Sequence, residues 1–538
     1  MVSIQCAAAM ATRGQERTGV SSRSQSGVYE RTPTAYKICD HITECILYFS
    51  IVFAPWAFGT TKAPEIWILD AAGYLLGALL VTKWILRWRL GYAPARWLDP
   101  HPGTHAAAAQ KATWLLAFLT VVILLYCVLG ALNARALVNS STGRFVYNPH
   151  TILWLPHSYD YPATWQYAAH YLAFACTFWA VRDWLLGRTS RERRFVLTDP
   201  AGAVSQSVRE SIKASSEGSS RVPGELPDRL RRLLWVICIN SSLLALESIL
   251  QRLSGTGKLL WLLEPIWNKT EESQFGPYAY RSNAAQYLNL AWPLCLGFWS
   301  MLLRENRLRV GLRSRVGGSA HVILLPCAVL LMAAPMISTS RGGALIAVAG
   351  ILTAVGILLA ANLRSSRWVR IGIMVWFLAV IGLVGFLGWE RLQKRLYQMF
   401  EDDSMSGRTE IYENSRRILA DHQVFGVGPG AFAAVYKFYR KPGQTWEAWV
   451  HDDWLEFAIT FGFVGFSFLV LVVLLIASRW FGSDGIHVPW EFMALCYVSL
   501  AGCLLHAKFD FPFQVHSIVH LFAVTSVIVF CIRRQGAP

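Results

Sequence analysis

Arg341 sits in the string STSRGG (338–343), between two apolar runs that leave almost no loop. Small neighbours let a ligand approach the backbone closely, and a guanidinium so placed can hold a phosphate through two parallel hydrogen bonds. An arginine that snorkels at a helix end, or sits in an ion pair, carries the same local sequence. Arg281 ends the string YAYR and precedes Ser282 and Asn283. It is a candidate second anion contact, with Tyr280 and Asn283 as neutral donors. An interfacial arginine in an aromatic belt fits the same residues. His451 opens the string HDDWLE (451–456). Imidazole is the usual group for taking a proton from a hydroxyl near neutral pH. Asp452 or Asp453 can orient it, and both acids also suit a plain helix start. His506 and Asp510 form a weaker set of the same kind.

Other chemistries find little support. The string GVGPG (426–430) lacks the preceding strand and βαβ unit of a dinucleotide site, and no P-loop, HExxH or GxSxG string is present. The pairs Asp402, Asp403 and Asp452, Asp453 have no His or Asp partners at ligand spacing. Metal-dependent glycosyl transfer is therefore disfavoured, and no metal or cofactor is expected. The eleven cysteines are scattered without a CxxC and read as packing residues.

The elements that must position these residues are membrane helices. Of the 538 residues, 54% are hydrophobic and 16% charged, against about 25% charged in a soluble domain. The apolar residues fall in runs of about 18–25, the length that crosses a bilayer. Twelve spans are expected, near 43–60, 66–86, 113–133, 165–186, 232–252, 284–304, 320–337, 341–361, 370–389, 452–478, 488–507 and 512–532. The implied organisation is a polar tail (1–42), nine spans over 43–389 with a Ser/Gly/Arg-rich linker at 187–231, a long loop (390–450), and three spans over 451–538. The tail has no apolar leader core, so the first span is expected to act as an uncleaved insertion signal. With the N-terminus in the cytoplasm, about 32 of the 50 basic residues lie on the cytoplasmic side and about 18 outside. That bias accounts for most of the +16 formal charge, and no nucleic-acid motif accompanies it.

Three outside segments look ordered. Segment 134–164 is rich in aromatics and His, and segment 253–283 carries an amphipathic stretch. In the long loop, 408–421 has Ile411, Ile418 and Leu419 at helical spacing with Ser406 as a cap candidate, and a second short helix is expected at 431–440. A long loop with its own helices reads as a lid or a substrate platform.

Four segments resemble the O-antigen ligase / O-antigen polymerase superfamily of integral membrane glycosyltransferases: SQFGPYAYRSNAAQYLNLAWPL (273–294), STSRGGALIAVAG (338–350), GRTEIYENSRRILADHQVFGVGPGAF (407–432) and HDDWLEFAITFGFVGF (451–466). The resemblance covers about 275–475, and the first 230 residues share only hydropathy. It implies an all-α bundle of about twelve spans in a bacterial inner membrane, with a long periplasmic loop between spans nine and ten. It also implies transfer of a glycan from a polyprenyl-diphosphate carrier to an acceptor hydroxyl on lipid A–core, a growing polysaccharide or protein, without a metal. By motif, Arg341 and Arg281 resemble the arginines that hold the diphosphate, His451 the residue that activates the acceptor, and Arg408 a further loop contact. Asp453, Tyr280 and Asn283 are expected beside the substrate. Because the chain ends soon after its last span, ligation or polymerisation is favoured over protein glycosylation. A reading from a different class is a polytopic transporter of lipid-linked glycans or small molecules, which would need inverted repeats and broken helices. A structural or interaction role ranks below both.

Overall fold

Each of the twelve apolar runs is a helix in the structure, a computed structural model. It describes residues 32–97, 105–138, 144–192, 226–311, 320–363, 367–401, 404–444, 448–482 and 484–534. Most of the polar tail (1–31), the centre of the linker (193–225) and the pair Asp402, Asp403 lie outside the described residues. In chain order the run helices are α1 (Thr34–Trp56), α2 (Ala63–Leu90), α3 (His105–Leu132), α4 (Tyr161–Leu186), α5 (Asp228–Leu253), α6 (Arg281–Gly311), α7 (Ala320–Ile337), α8 (Arg341–Ala361) and α9 (Arg367–Glu401). After the long loop, which holds α10 (Ser404–Asp421) and α11 (Phe432–Tyr436), come α12 (Asp453–Ala477), α13 (Trp490–His506) and α14 (His516–Cys531). Seven of them (α1, α2, α3, α5, α8, α9 and α12) are long and apolar enough to cross a membrane, and α7, α13 and α14 are shorter apolar helices. Among the described residues, length and composition thus qualify seven of the twelve expected runs as candidate crossings.

Two boundaries differ most from the hydropathy reading. α1 starts at Thr34 and α9 runs on to Glu401, beyond the expected limits of 43 and 389. Both extensions are polar but helix-compatible, and hydropathy registers lipid-facing composition rather than helicity. In the loop, Ser406 falls inside α10 instead of capping it, and the second helix shrinks to Phe432–Tyr436. Segment 253–283 contributes only a 3-10 turn (Glu271–Ser273), while 134–164 opens with a short hairpin in which Ala136–Val138 pairs antiparallel with Phe145–Tyr147.

The bundle is built around α6. It packs against α5, α7, α8, α13 and α14. The consecutive residues Ala284, Ala285, Gln286, Tyr287 and Leu288 are all buried, so the helix is covered on every side, as expected for a central helix. On α8 and α9, by contrast, Leu352, Trp368 and Ile381 point outward, which suits lipid. A second, smaller core lies in the loop. There Ile411 and Ile418 of α10 meet Val427, Phe432, Val435, Val450, Tyr159 and the start of α12 through Ile459.

The loop is fastened to α12 at a break. Gly462 has φ 59° and ψ 179°, which interrupts the helix. The turn 423–428 bonds the freed backbone: Val427 N–H donates to Ile459 O (2.9 Å), Gly428 N–H to Thr460 O (3.0 Å), and Phe463 N–H to Gln423 O (2.7 Å). Non-helical backbone at membrane depth needs such partners. A Cβ on Gly426 or on Gly462 would come within 2.5 Å of the other's backbone nitrogen, and both residues have positive φ, so only glycine fits.

At the opposite end, charge ties α1, α2, α4 and α5 together. Asp183 accepts from Lys83 (2.9 Å) and Arg87 (2.8 Å) and pairs with Arg96, while Asp40 meets Lys83 (3.2 Å) and Arg229 (2.7 Å). Removing one member of a buried network strands its partners at a cost of about 3–5 kcal/mol. Asp183→Ala, which deprives three cations of their shared acceptor, is expected to lower the melting temperature in detergent by a corresponding amount. An unchanged melting temperature would show that the network contributes nothing to stability.

Candidate active site

Two helices begin at one cavity. Arg341 is the first residue of α8, whose N-terminus is capped by Ser340 Oγ accepting from Gly343 N–H (3.2 Å). Arg281 is the first residue of α6. Helix N-termini carry partial positive charge and unpaired N–H groups, and both favour an anion. Arg408, on α10, reaches the same place and donates to Phe509 O (2.9 Å). Arg281, Arg341 and Arg408 line a cavity of about 250 Å³ together with Ser282, His506 and Asp510. Gly342 makes close approach possible, since a Cβ there would lie 3.0 Å from His506 Nε2.

Asp510 is the hinge of the arrangement. It is buried, accepts from Ser282 Oγ and from Phe511 N–H (3.1 Å), and stands 3.4 Å from His451 Nδ1. Burial pushes its carboxyl upward, but the hydrogen bond from His451, the neighbouring His506 and the hydrogen bond from Ser282 outweigh it and hold the group below the ordinary carboxylate range. It is therefore ionised at neutral pH.

His451 has φ 58°, a left-handed conformation that costs a side-chain-bearing residue free energy and needs outside support. Tyr412 Oη supplies some, donating to His451 O (3.1 Å). The imidazole meets Phe511 edge-on with centroids 4.8 Å apart, and Tyr280 stacks on the same ring at 5.6 Å and 10°. Burial first, and the charge of Asp510 second, push the Tyr280 hydroxyl far above its ordinary range, so it stays protonated as a donor.

A larger cavity of about 1000 Å³ lies alongside, lined by His451, Asn283, Trp267, Trp449 and Phe511. Tyr280 belongs to both cavities. Asn283 Oδ1 is shielded from solvent and has no hydrogen-bond partner among the described residues, leaving a polar atom at the cavity unspent. A separate groove of about 500 Å³ on the loop is lined by aromatic residues including Tyr147, Tyr159, Phe438 and Tyr439.

The structure thus brings Arg281, Arg341, Arg408 and Tyr280 to one cavity, with His451 and Asn283 at its neighbour. It does not bring Asp453 there. That side chain is buried, and both oxygens are taken: Oδ2 accepts from Phe513 N–H (2.7 Å) and Oδ1 from Gln514 Nε2 (3.2 Å). In place of a substrate contact, Asp453 holds the turn that presents Asp510. Nor does Asp452 orient His451, because it caps α12 through Leu455 N–H (3.1 Å) and pairs with Lys508. The orienting carboxylate is Asp510, which the sequence offers only as a weak candidate. Ser282 and Ser340 carried no signal beyond their place beside the two arginines.

Fold and site define a polytopic helical membrane protein with a cationic pocket at one end of the bundle. Residues 326–470 match the family model described as O-Antigen ligase. The match supports assignment to the O-antigen ligase superfamily and, with it, a membrane glycosyltransferase role of ligase or polymerase type. It takes in Arg341, Arg408 and His451 but stops short of Asp510 and begins after Arg281. No curated protein matches the chain.

Asp453→Ala removes the acceptor for two donors of the 507–515 turn. An unpaired buried group costs about 1–3 kcal/mol, so the variant is expected to melt at lower temperature. A melting curve identical to that of the unaltered protein would remove Asp453 from the positioning role.

Proposed function

We propose that this protein transfers a glycan from a polyprenyl-diphosphate carrier to an acceptor hydroxyl on the extracytoplasmic side of a bacterial inner membrane. The observation that carries the reading is the meeting of Arg281, Arg341 and Arg408 at one cavity whose Asp510 also holds His451. Diphosphate oxygens dock among the three guanidiniums and the N-termini of α6 and α8. The carrier tail remains among membrane lipids. The acceptor hydroxyl enters the larger cavity beside His451. With Nδ1 turned toward Asp510, Nε2 is left to take the hydroxyl proton. The acceptor oxygen then forms its bond to the sugar C1 as the C1–O bond to phosphate breaks, and the lipid diphosphate leaves with its charge neutralised by the arginines. A single displacement of this kind inverts the anomeric centre. The acceptor is lipid A–core or a growing polysaccharide, and the aromatic lining of the larger cavity and of the loop groove suits sugar faces.

The transporter reading required broken helices. α12 does break at Gly462, but the loop turn bonds the backbone freed there, so the break serves as a clamp and offers no open ion site.

In a reconstituted assay with a polyprenyl-diphosphate glycan, Arg341→Ala is expected to abolish transfer. His451→Ala is expected to lower turnover by about 100- to 10,000-fold, the range of general-base catalysis. Arg341→Lys keeps the charge but loses the two-pronged contact and should still show a large loss. Normal activity in both alanine variants would end the proposal.

A further inference from the structure

Outside the cationic pocket, Asp70 of α2, His170 of α4 and His516 at the start of α14 converge. One ligand-type atom from each lies within 4.8 Å of the others. Asp70 and His170 are 5% and 6% exposed. His170 Nδ1 stands 2.5 Å from Asp70 Oδ2, and the His170 and His516 rings meet edge-on with centroids 4.6 Å apart. Much of the binding capacity of this cluster is unspent. Asp70 Oδ1 and both ring nitrogens of His516 are shielded from solvent and have no hydrogen-bond partner among the described residues. A neutral imidazole carries one donor and one acceptor, and burying both unpaired is unfavourable. A cation between the three side chains would use a His516 lone pair and the spare Asp70 oxygen together.

We propose that Asp70, His170 and His516 hold one divalent transition-metal ion of the zinc class, as a structural clasp between α2, α4 and α14. Two imidazoles and a carboxylate are the donor set zinc takes, while magnesium and calcium prefer oxygen alone. The placement gives the clasp a purpose. His516 directly follows the 507–515 turn that carries Asp510. Gln514 of that turn is bonded to Asp453 on one side and accepts from Tyr167 Oη of α4 (2.9 Å) on the other. Tyr167 precedes His170 by one helical turn, so an ion at His170 and His516 would fix the far end of the turn to the same helix.

The test uses the full chain in detergent, stripped with a chelator and then titrated with Co²⁺ and Zn²⁺. The expected result is uptake of about one ion per chain, a visible absorption band of four-coordinate Co²⁺, and a melting temperature that rises with Zn²⁺. Asp70→Asn and His516→Ala should each weaken metal binding by roughly tenfold or more. Stripped wild-type protein that takes up no Co²⁺ and whose melting temperature ignores Zn²⁺ overturns the proposal, and so does a Co²⁺ band that survives unchanged in both variants. If a variant fails to fold, the wild-type titration alone decides. None of these readouts depends on glycan transfer.

Discussion

A carboxylate buried as deeply as Asp510 must either be neutralised or be surrounded by donors. Here donors come from three places that are distant in the chain: Ser282 at the start of α6, His451 before α12, and the backbone of its own turn. Satisfying that one charge therefore fixes the relative positions of two helix starts and the turn between α13 and α14. The cationic cavity and the imidazole are neighbours because they share this acceptor. Without it, His451 would lose the partner that selects its tautomer, and its strained backbone would keep the hydrogen bond from Tyr412.

The same cavity concentrates positive charge. Among the described residues, three arginines and one buried carboxylate line it where two helices begin. A cavity so lined attracts an anion. The opposite end of the bundle shows the contrasting solution, where Asp183 and Asp40 are interleaved with Lys83, Arg87, Arg96 and Arg229 and the charges satisfy one another. Arginine density alone does not separate a structural network from a binding site; a cavity beside the guanidiniums does.

Much of this was legible in the sequence, because membrane helices are specified by composition and intramembrane charge is rare. All twelve apolar runs became helices, and Arg281, Arg341 and His451 were visible as charged groups at run ends. Less legible were helix limits in polar stretches, such as the extension of α9 to Glu401. Pairings across the chain were hidden for a different reason. His451 has two aspartates immediately after it, yet both serve the start of α12 and the neighbouring turn, while its real partner is 59 positions away. Proximity in sequence is a poor guide where a helix begins, since successive side chains there point in different directions. The Asp70, His170 and His516 cluster is invisible for the same reason, as its members come from three separate helices.

Of the two roles open to a long ordered loop, the contacts favour a platform over a lid. Arg408 lies on the loop helix α10, and His451 lies where the loop rejoins the bundle. Their separation depends on how α10 sits against α12. That seating is rigid by construction: backbone hydrogen bonds run from the turn to both sides of the Gly462 break, and Tyr126 Oη donates to Phe425 O and Phe461 O, one on each partner. Swinging the loop open would strip the broken backbone of α12 of these bonds. The GVGPG string is thus a fastener. Its glycines allow two main chains to touch, and the contact sets the separation of Arg408 from His451.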